Sequence, residues 1–302
     1  MPVIQGVLPI VHTPFDNDDN IDWPSFHRQI DWAITTGANG CCEGMASEVL
    51  RLTTSERLEL TRHLVQSVDG RVTTIASVGA ESTRQAVEYA QHASAAGVSA
   101  VMAIPPMSTA LPDAEVLDYF TTIASAINIP MVVQDASSYV GRPIDFSVYT
   151  ALLDKFGEDR ILFKPEAAPL GPNLTRILEA TDHRARVFEG SGGISLMDSF
   201  RRGISGTMPG MDFLDGIIAI WRFLQAGDIE SAYRVYFPVC ALVALELQAG
   251  LDGFLAIEKY VLHKRGLFTT DRRRRPHSWS LDTETREEVD RLLAILSLAL
   301  EA

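Results

Sequence analysis

Short apolar runs rich in Val, Ile and Ala alternate along the chain with longer stretches whose apolar residues recur every three or four positions. The short runs fall at 7–13 (VLPIVHT), 40–44 (GCCEG), 73–78 (TTIASV), 100–106 (AVMAIPP), 130–135 (PMVVQD), 161–166 (ILFKPE), 186–191 (RVFEGS) and 206–210 (GTMPG). They predict eight strands. Helical spacing predicts helices over 23–36, 54–68, 82–96, 113–127, 145–157, 172–181, 193–202 and 213–226, as with Ala86, Ala90 and Ala93 in the third. Thr54, Asp113 and Asp145 stand where N-caps are expected.

Strands this apolar, each followed by a helix, imply a parallel sheet whose outer face is covered. Eight such units close into a (β/α)8 TIM barrel. An open doubly wound sheet is the alternative, and no G-x-G-x-x-G follows the first strand to favour it. Beyond 227 the spacing is helical only, over 228–248, 252–265 and 283–300. The expectation is a barrel domain, 1–227, with a C-terminal helical region, 228–302.

The chain has 302 residues, 46% of them apolar, with 26 Lys and Arg against 39 Asp and Glu, a formal net charge of −13. That balance argues against nucleic acid or an anionic membrane surface as a partner. Cys41, Cys42 and Cys240 form no metal-ligand or disulfide pattern. The N-terminus lacks a signal-peptide pattern and no apolar run reads as a membrane span, so a cytoplasmic location is expected. The basic run DRRRRPH at 271–277 reads as a solvated loop.

In such a barrel the chemistry sits at the C-terminal ends of the strands. There ILFKPEA, 161–167, carries a lysine inside an apolar run. Ionised lysine is expensive to bury unless it is paired. Lys164 is therefore either a salt-bridge partner, with Glu166 the nearest candidate, or an amine kept neutral to attack a carbonyl. The other lysines, Lys155, Lys259 and Lys264, fall in polar or helical contexts. His12, Glu43, Glu48, Asp135, Glu166 and Glu189 include potential metal ligands, but no H-x-H, H-x-x-x-H or carboxylate cluster of useful spacing appears, so no metal is expected. GSGG at 190–193 is the one glycine-rich candidate for phosphate, and a weak one.

GVLPIVHTPFDNDDNID, GANGCCEGMASEVLRLTTSER, IPMVVQD, ILFKPEA and GISGTMPG resemble, in order and spacing, the dihydrodipicolinate synthase / N-acetylneuraminate lyase family over about residues 4 to 300. The resemblance implies a (β/α)8 barrel with C-terminal helices, usually tetrameric. It also implies class I Schiff-base chemistry on pyruvate or another 2-oxo acid without an organic cofactor or metal, the family lysine falling on Lys164. The motif after strand two departs from the family form, reading Gly44-Met45-Ala46-Ser47-Glu48. Ala46 and Ser47, through backbone N–H groups and the Ser47 hydroxyl, are the expected carboxylate holders. Gln134 stands where the family has a proton-shuttling tyrosine, Met107 near a second tyrosine, and Tyr139 near the arginine that reads a distal carboxylate.

Gln-Asp-Ala after strand five resembles the branch containing L-2-keto-3-deoxyarabonate dehydratase. The expected catalytic residues are Lys164 and Gln134. Ala46, Ser47, Thr13, Tyr139, Glu189 and Met208 are the expected substrate contacts, with Glu189 either lining the pocket or pairing with a cation. The expected activity is dehydration of a 2-keto-3-deoxy sugar acid. A pyruvate-dependent aldolase is the alternative within the family; a metal-dependent barrel lyase and a non-catalytic 2-oxo-acid-binding protein are alternatives of other classes. The resemblance implies a homotetramer, and Met107 and Leu111, in a loop read as exposed in a monomer, fit an oligomer.

Overall fold

The computed structural model describes residues 3–139 and 141–302. Its strands are β1 (Gly6–Val7), β2 (Gly40–Cys42), β3 (Thr73–Ser77), β4 (Ala100–Ala103), β5 (Met131–Asp135), β6 (Ile161–Pro165), β7 (Phe188–Glu189) and β8 (Gly206–Thr207). All pair in parallel, in two arcs ordered β2-β3-β4-β5-β6 and β1-β8-β7. Single bridges, Ile10 to Cys42 and Phe163 to Val187, join the arcs into one closed barrel.

Helices α1 (Trp23–Thr36), α2 (Thr54–Val68), α3 (Thr83–Ala96), α4 (Asp113–Ser125), α5 (Phe146–Phe156), α6 (Leu170–Ala180), α7 (Leu196–Arg201) and α8 (Leu214–Ala226) follow their strands in turn. The chain is a (β/α)8 TIM barrel with C-terminal helices α9 (Ile229–Glu246), α10 (Gly250–Lys264) and α11 (Thr283–Glu301).

Several strands are shorter than their apolar runs. Pro9 has no N–H to donate, so β1 stops at Val7, while Leu8 and Ile10 still bond singly to the β8 segment through Thr207 and Pro209 carbonyls. Pro209 ends β8 in the same way. Two caps also differ. Thr53, not Thr54, caps α2, with Glu56 closing a capping box, and Asp113 lies inside the first turn of α4 behind Pro112. Asp145 caps α5 as expected, accepting from Ser147.

Strand alternation divides the apolar residues in two. Leu8, Cys42, Ile75, Met102, Val132, Leu162 and Phe188 fill the barrel lumen. Cys41, Ala76, Val101, Val133 and Phe163 face the surrounding helices.

The C-terminal helices share this core. Helix α9 packs on α8, α10 and α11. The stretch Ile229–Lys264 is long and apolar enough to cross a membrane by composition, contrary to the reading above, yet half of its most apolar window is buried. It bends at Leu247–Gly250 into two helices. Helix α10 is buried on nearly all sides from Asp252 to Leu262.

Lys259 on α10 is wholly buried, although its helical context hid this in the sequence. Its ammonium donates to the Glu48 carboxylate, to Thr13 O at 2.7 Å and to Arg272 O at 2.9 Å. Nor is the basic run a solvated loop. Arg273 donates to Asp252 O and Trp279 O, and Arg274 reaches Glu56 and Asp19. Their side chains are only 7% and 13% exposed, so these two arginines clamp the run as a strap at the barrel mouth, while Arg272 and Arg275 turn to solvent.

Removing one member of a buried ion pair leaves the other desolvated and unpaired, at a cost of about 3–5 kcal/mol. Lys259→Met should therefore lose about 3–5 kcal/mol in urea denaturation. The double variant with Glu48→Gln should lose less than the two single variants summed. A loss below about 1 kcal/mol for Lys259→Met would show that the pair is not a structural anchor.

Candidate active site

The β5 and β6 ladders set Gln134 directly beside Lys164. Inward alternation carries Leu162 into the lumen, then Lys164 above it and Glu166 above that; outward Phe163 packs edge-on against Tyr149 of α5, ring centroids 5.1 Å apart. Lys164 is 4% exposed, and its Nζ lies 3.3 Å from Glu166 Oε1. Gln134 Nε2 donates to Glu166 Oε2 at 2.6 Å. The backbone of Glu166 is clamped as well: its N–H donates to Asp135 O, and Ser138 Oγ donates to its carbonyl.

Burial pushes the Glu166 carboxyl above the ordinary carboxylate range, against the pull of the Lys164 charge and the Gln134 amide. A carboxyl that holds its proton more tightly, in contact with an amine, is a short path for proton exchange between them. Gly190, beyond β7, faces the pair. A Cβ there would collide with Lys164 Cε and Glu166 Oε1. The bare backbone makes room for both side chains.

These residues sit in a cleft of about 490 Å³, its open mouth included. Ile10, Met45 and Ala46 form one wall; Met208, Pro209 and Gly210 form the next. Tyr139 closes a third side, edge-on to Phe254 with ring centroids 5.7 Å apart. Burial raises the Tyr139 phenol well above its usual value, and the nearby Glu166 and Glu189 carboxylates raise it further.

Of the residues singled out in the sequence, Lys164, Gln134, Ala46, Tyr139 and Met208 line this cleft. Thr13, Ser47 and Glu189 are not among its lining residues. Each is fully buried with its polar atoms engaged elsewhere. Thr13 Oγ1 donates to Ser47 O at 2.6 Å, the Ser47 hydroxyl donates to Val11 O, and Ser47 N–H is taken by Gly44 O in a 3₁₀ turn. Glu189 accepts from Ser191 N–H and Oγ and from Thr207 Oγ1, and pairs with no cation among the described residues. These three hold the strand ends that shape the cleft.

The C-terminal helix supplies residues that the sequence did not single out. Leu251, Phe254 and Glu258 of α10 cover the cleft, at the one-face spacing i, i+3, i+7. The available signal was the pair Glu258-Lys259 inside the apolar stretch FLAIEKYVL, where two charges need buried partners. Behind Glu258 lie His12 and Asp212, one potential ligand atom of each within 4.8 Å of the others.

Comparison with known proteins places this geometry in a context. A family model described as the dihydrodipicolinate synthetase family matches residues 3–296. An L-2-keto-3-deoxyarabonate dehydratase of Azospirillum brasilense is 29% identical over 299 residues, covering 97% of this chain and 94% of that one. A 4-hydroxy-tetrahydrodipicolinate synthase of Methanococcoides burtonii is 29% identical over 247 residues, 80% of this chain and 82% of its own. The structure of the 4-hydroxy-tetrahydrodipicolinate synthase of Methylacidiphilum fumariolicum superposes with a TM-score of 0.89 at 22% identity, over 99% and 98% of the two chains. A prophage protein of E. coli K12 from the dihydrodipicolinic acid synthase family, solved in complex with pyruvate, superposes at 0.87 with 21% identity, over 98% and 100%.

Gly190→Ala tests how tightly the cleft floor is packed. Overpacking of this kind should destabilise the chain by about 1–3 kcal/mol in chemical denaturation. An unchanged midpoint would show that Lys164 and Glu166 have free space to retreat.

Proposed function

The chain belongs to the dihydrodipicolinate synthetase family of lyases, and from that premise we propose that it dehydrates a 2-keto-3-deoxy sugar acid through a Schiff base on Lys164. The observation that carries the reading is Lys164 itself, a nearly buried amine at the end of β6 in contact with Glu166, beside an open cleft. The likeness to a named keto-deoxy-arabonate dehydratase over nearly the whole of both chains supports the branch.

In this scheme Lys164 Nζ attacks C2 of the 2-oxo acid to give a carbinolamine. Loss of water gives the iminium, an electron sink that acidifies C3. Glu166, 3.3 Å from the amine, carries protons between nitrogen, the carbinolamine oxygen and C3. The C3–H electrons then expel the C4 hydroxyl, which leaves as water after taking a proton. Gln134 is a positioning residue that fixes Glu166. An amide cannot act as acid or base here, so Glu166 takes the work for which Gln134 is unsuited. Ala46, Met45 and Met208 shape the wall, and Tyr139 donates a hydrogen bond to the distal hydroxyls. Thr13, Ser47 and Glu189 contribute by holding the strand ends.

Aldol cleavage from the same iminium is the second reading within the family, since relatives named as synthases match over most of their length. The two are separated by their products. Borohydride reduction with pyruvate should add one pyruvate-derived mass to the Lys164 peptide, and Lys164→Ala should add none. Turnover of 2-keto-3-deoxy-pentonates followed by NMR should give a semialdehyde retaining every substrate carbon. Trapping on Lys155, Lys259 or Lys264 would overturn the nucleophile, and free pyruvate with a shorter aldehyde would replace dehydration by cleavage.

The proposed assembly is a homotetramer. Met107 and Leu111 are half-buried within the chain and argue for it less than their sequence context did. The stronger feature is an exposed apolar strip on the adjoining α9 and α11. Phe237 is 63% and Leu298 67% exposed, and Tyr233 stacks on Phe237. Light scattering should report four chains; a mass near 33.2 kDa at micromolar concentration would contradict the proposal.

A further inference from the structure

Behind the Ile10 and Gly210 wall, buried groups converge for which the Schiff-base scheme has no use. His12, between β1 and α1, is wholly buried, and its Nδ1 lies 3.0 Å from Ala46 O. A carbonyl only accepts, so Nδ1 carries the ring hydrogen and Nε2 presents a bare lone pair. That lone pair faces Glu258 Oε2 at 3.6 Å. Neither atom has a hydrogen-bond partner among the described residues, and Asp212 Oδ2 and Glu246 Oε1 have none either.

A separation of 3.6 Å is too long for a hydrogen bond between these two atoms. It is close to what a shared metal ion requires. Ligand atoms about 2.1 Å from a first-row divalent ion stand roughly 3.4 Å apart at a tetrahedral angle. The nearest atoms of His12, Asp212 and Glu258 all lie within 4.8 Å of one another. Gly210 lets the two carboxylates pack close to the backbone, because a Cβ there would strike Asp212 Oδ1 and Glu258 Oε1.

We propose that His12, Asp212 and Glu258 form a binding site for a first-row divalent cation, with Glu246 holding Asp212 from behind. One imidazole nitrogen with carboxylate oxygens suits Zn²⁺ or Mn²⁺. Burial, then the Lys259 charge, holds His12 neutral, its pKa lowered to about 3. Burial raises Asp212 to about 6 and lifts Glu246 and Glu258 well above the carboxylate range, each of these two further raised by Asp212. The nearby Lys259 charge is already engaged by Glu48. Glu258 also belongs to the cleft wall, so the ion sits at the edge of the cleft that holds Lys164. The inference stands independently of the Schiff-base reading.

The test uses the full chain, stripped with chelator, dialysed, and titrated with ZnCl₂ and MnCl₂ by calorimetry, with Mn²⁺ followed in parallel by electron paramagnetic resonance. One ion should bind per chain, with proton release and a rise in Tm. His12→Gln and Asp212→Asn should each weaken binding by at least about tenfold. Circular dichroism and Tm of the stripped variants establish that they fold, and Glu258→Gln replaces any that does not. Absence of saturable binding of either ion by the unmodified chain would overturn the proposal. So would undiminished binding by the folded variants, which would put the ion elsewhere. A stripped chain that binds neither ion would leave the cluster a proton-holding group only.

Discussion

The ammonium of Lys259 is wholly buried and has three oxygen partners from three distant parts of the chain. Thr13 ends the first barrel segment, Glu48 follows the turn after β2, and Arg272 belongs to the strap. Glu48 adopts a left-handed conformation, φ 55°, which a residue with a Cβ holds only when its surroundings fix it. The surroundings here are Lys259 and the Arg274 N–H, which donates to the same carboxylate. Through this junction α10 is locked to the barrel mouth. Helical geometry then decides what the cleft sees, because the helix that carries Lys259 inward also presents Leu251, Phe254 and Glu258 to the opening. Arg51 and Ser278 on Asp252 secure the start of the same helix.

Within the cleft the charge distribution follows from the same enclosure. Lys164 and Glu166 are each nearly buried and find each other, and the Gln134 amide takes up the second carboxylate oxygen. The walls around them are mostly apolar, from Ile10, Met45, Met208 and Phe254. Low exposure strengthens each polar contact that remains. It also makes every proton in the site matter, because a buried carboxyl without a cation nearby holds its proton.

Much of the barrel was legible because its determinants are local. Each strand run is short, apolar and followed by helical spacing, and no later contact could make 100–103 or 131–135 anything but buried strand. Lys164 was legible for the opposite reason, as a lysine standing inside an apolar strand run. The misreadings share a cause too. Lys259 looked like an ordinary helical lysine and 271–277 like a solvated loop, because their partners lie up to 255 residues away, in Thr13, Asp19, Glu48 and Glu56. Thr13, Ser47 and Glu189 stand at the right strand ends, but residue type does not reveal whether a hydroxyl or carboxylate turns toward the cleft or back to a neighbouring strand. Glu258 escaped notice because its place depends on a helix outside the β/α repeat.

The Glu48–Lys259 junction also sets an order of events during synthesis. The two residues are 211 positions apart. At translation rates of about 5–20 residues per second, roughly 10–40 s pass between the emergence of the carboxylate and that of its ammonium. Until then the Glu48 carboxylate has Arg51, three residues on and 3.6 Å away in the finished fold, as its local cation, and Lys259 completes the burial of the rim after β2. The mouth of the barrel is thus completed from far along the chain, by a helix made only after all eight β/α units.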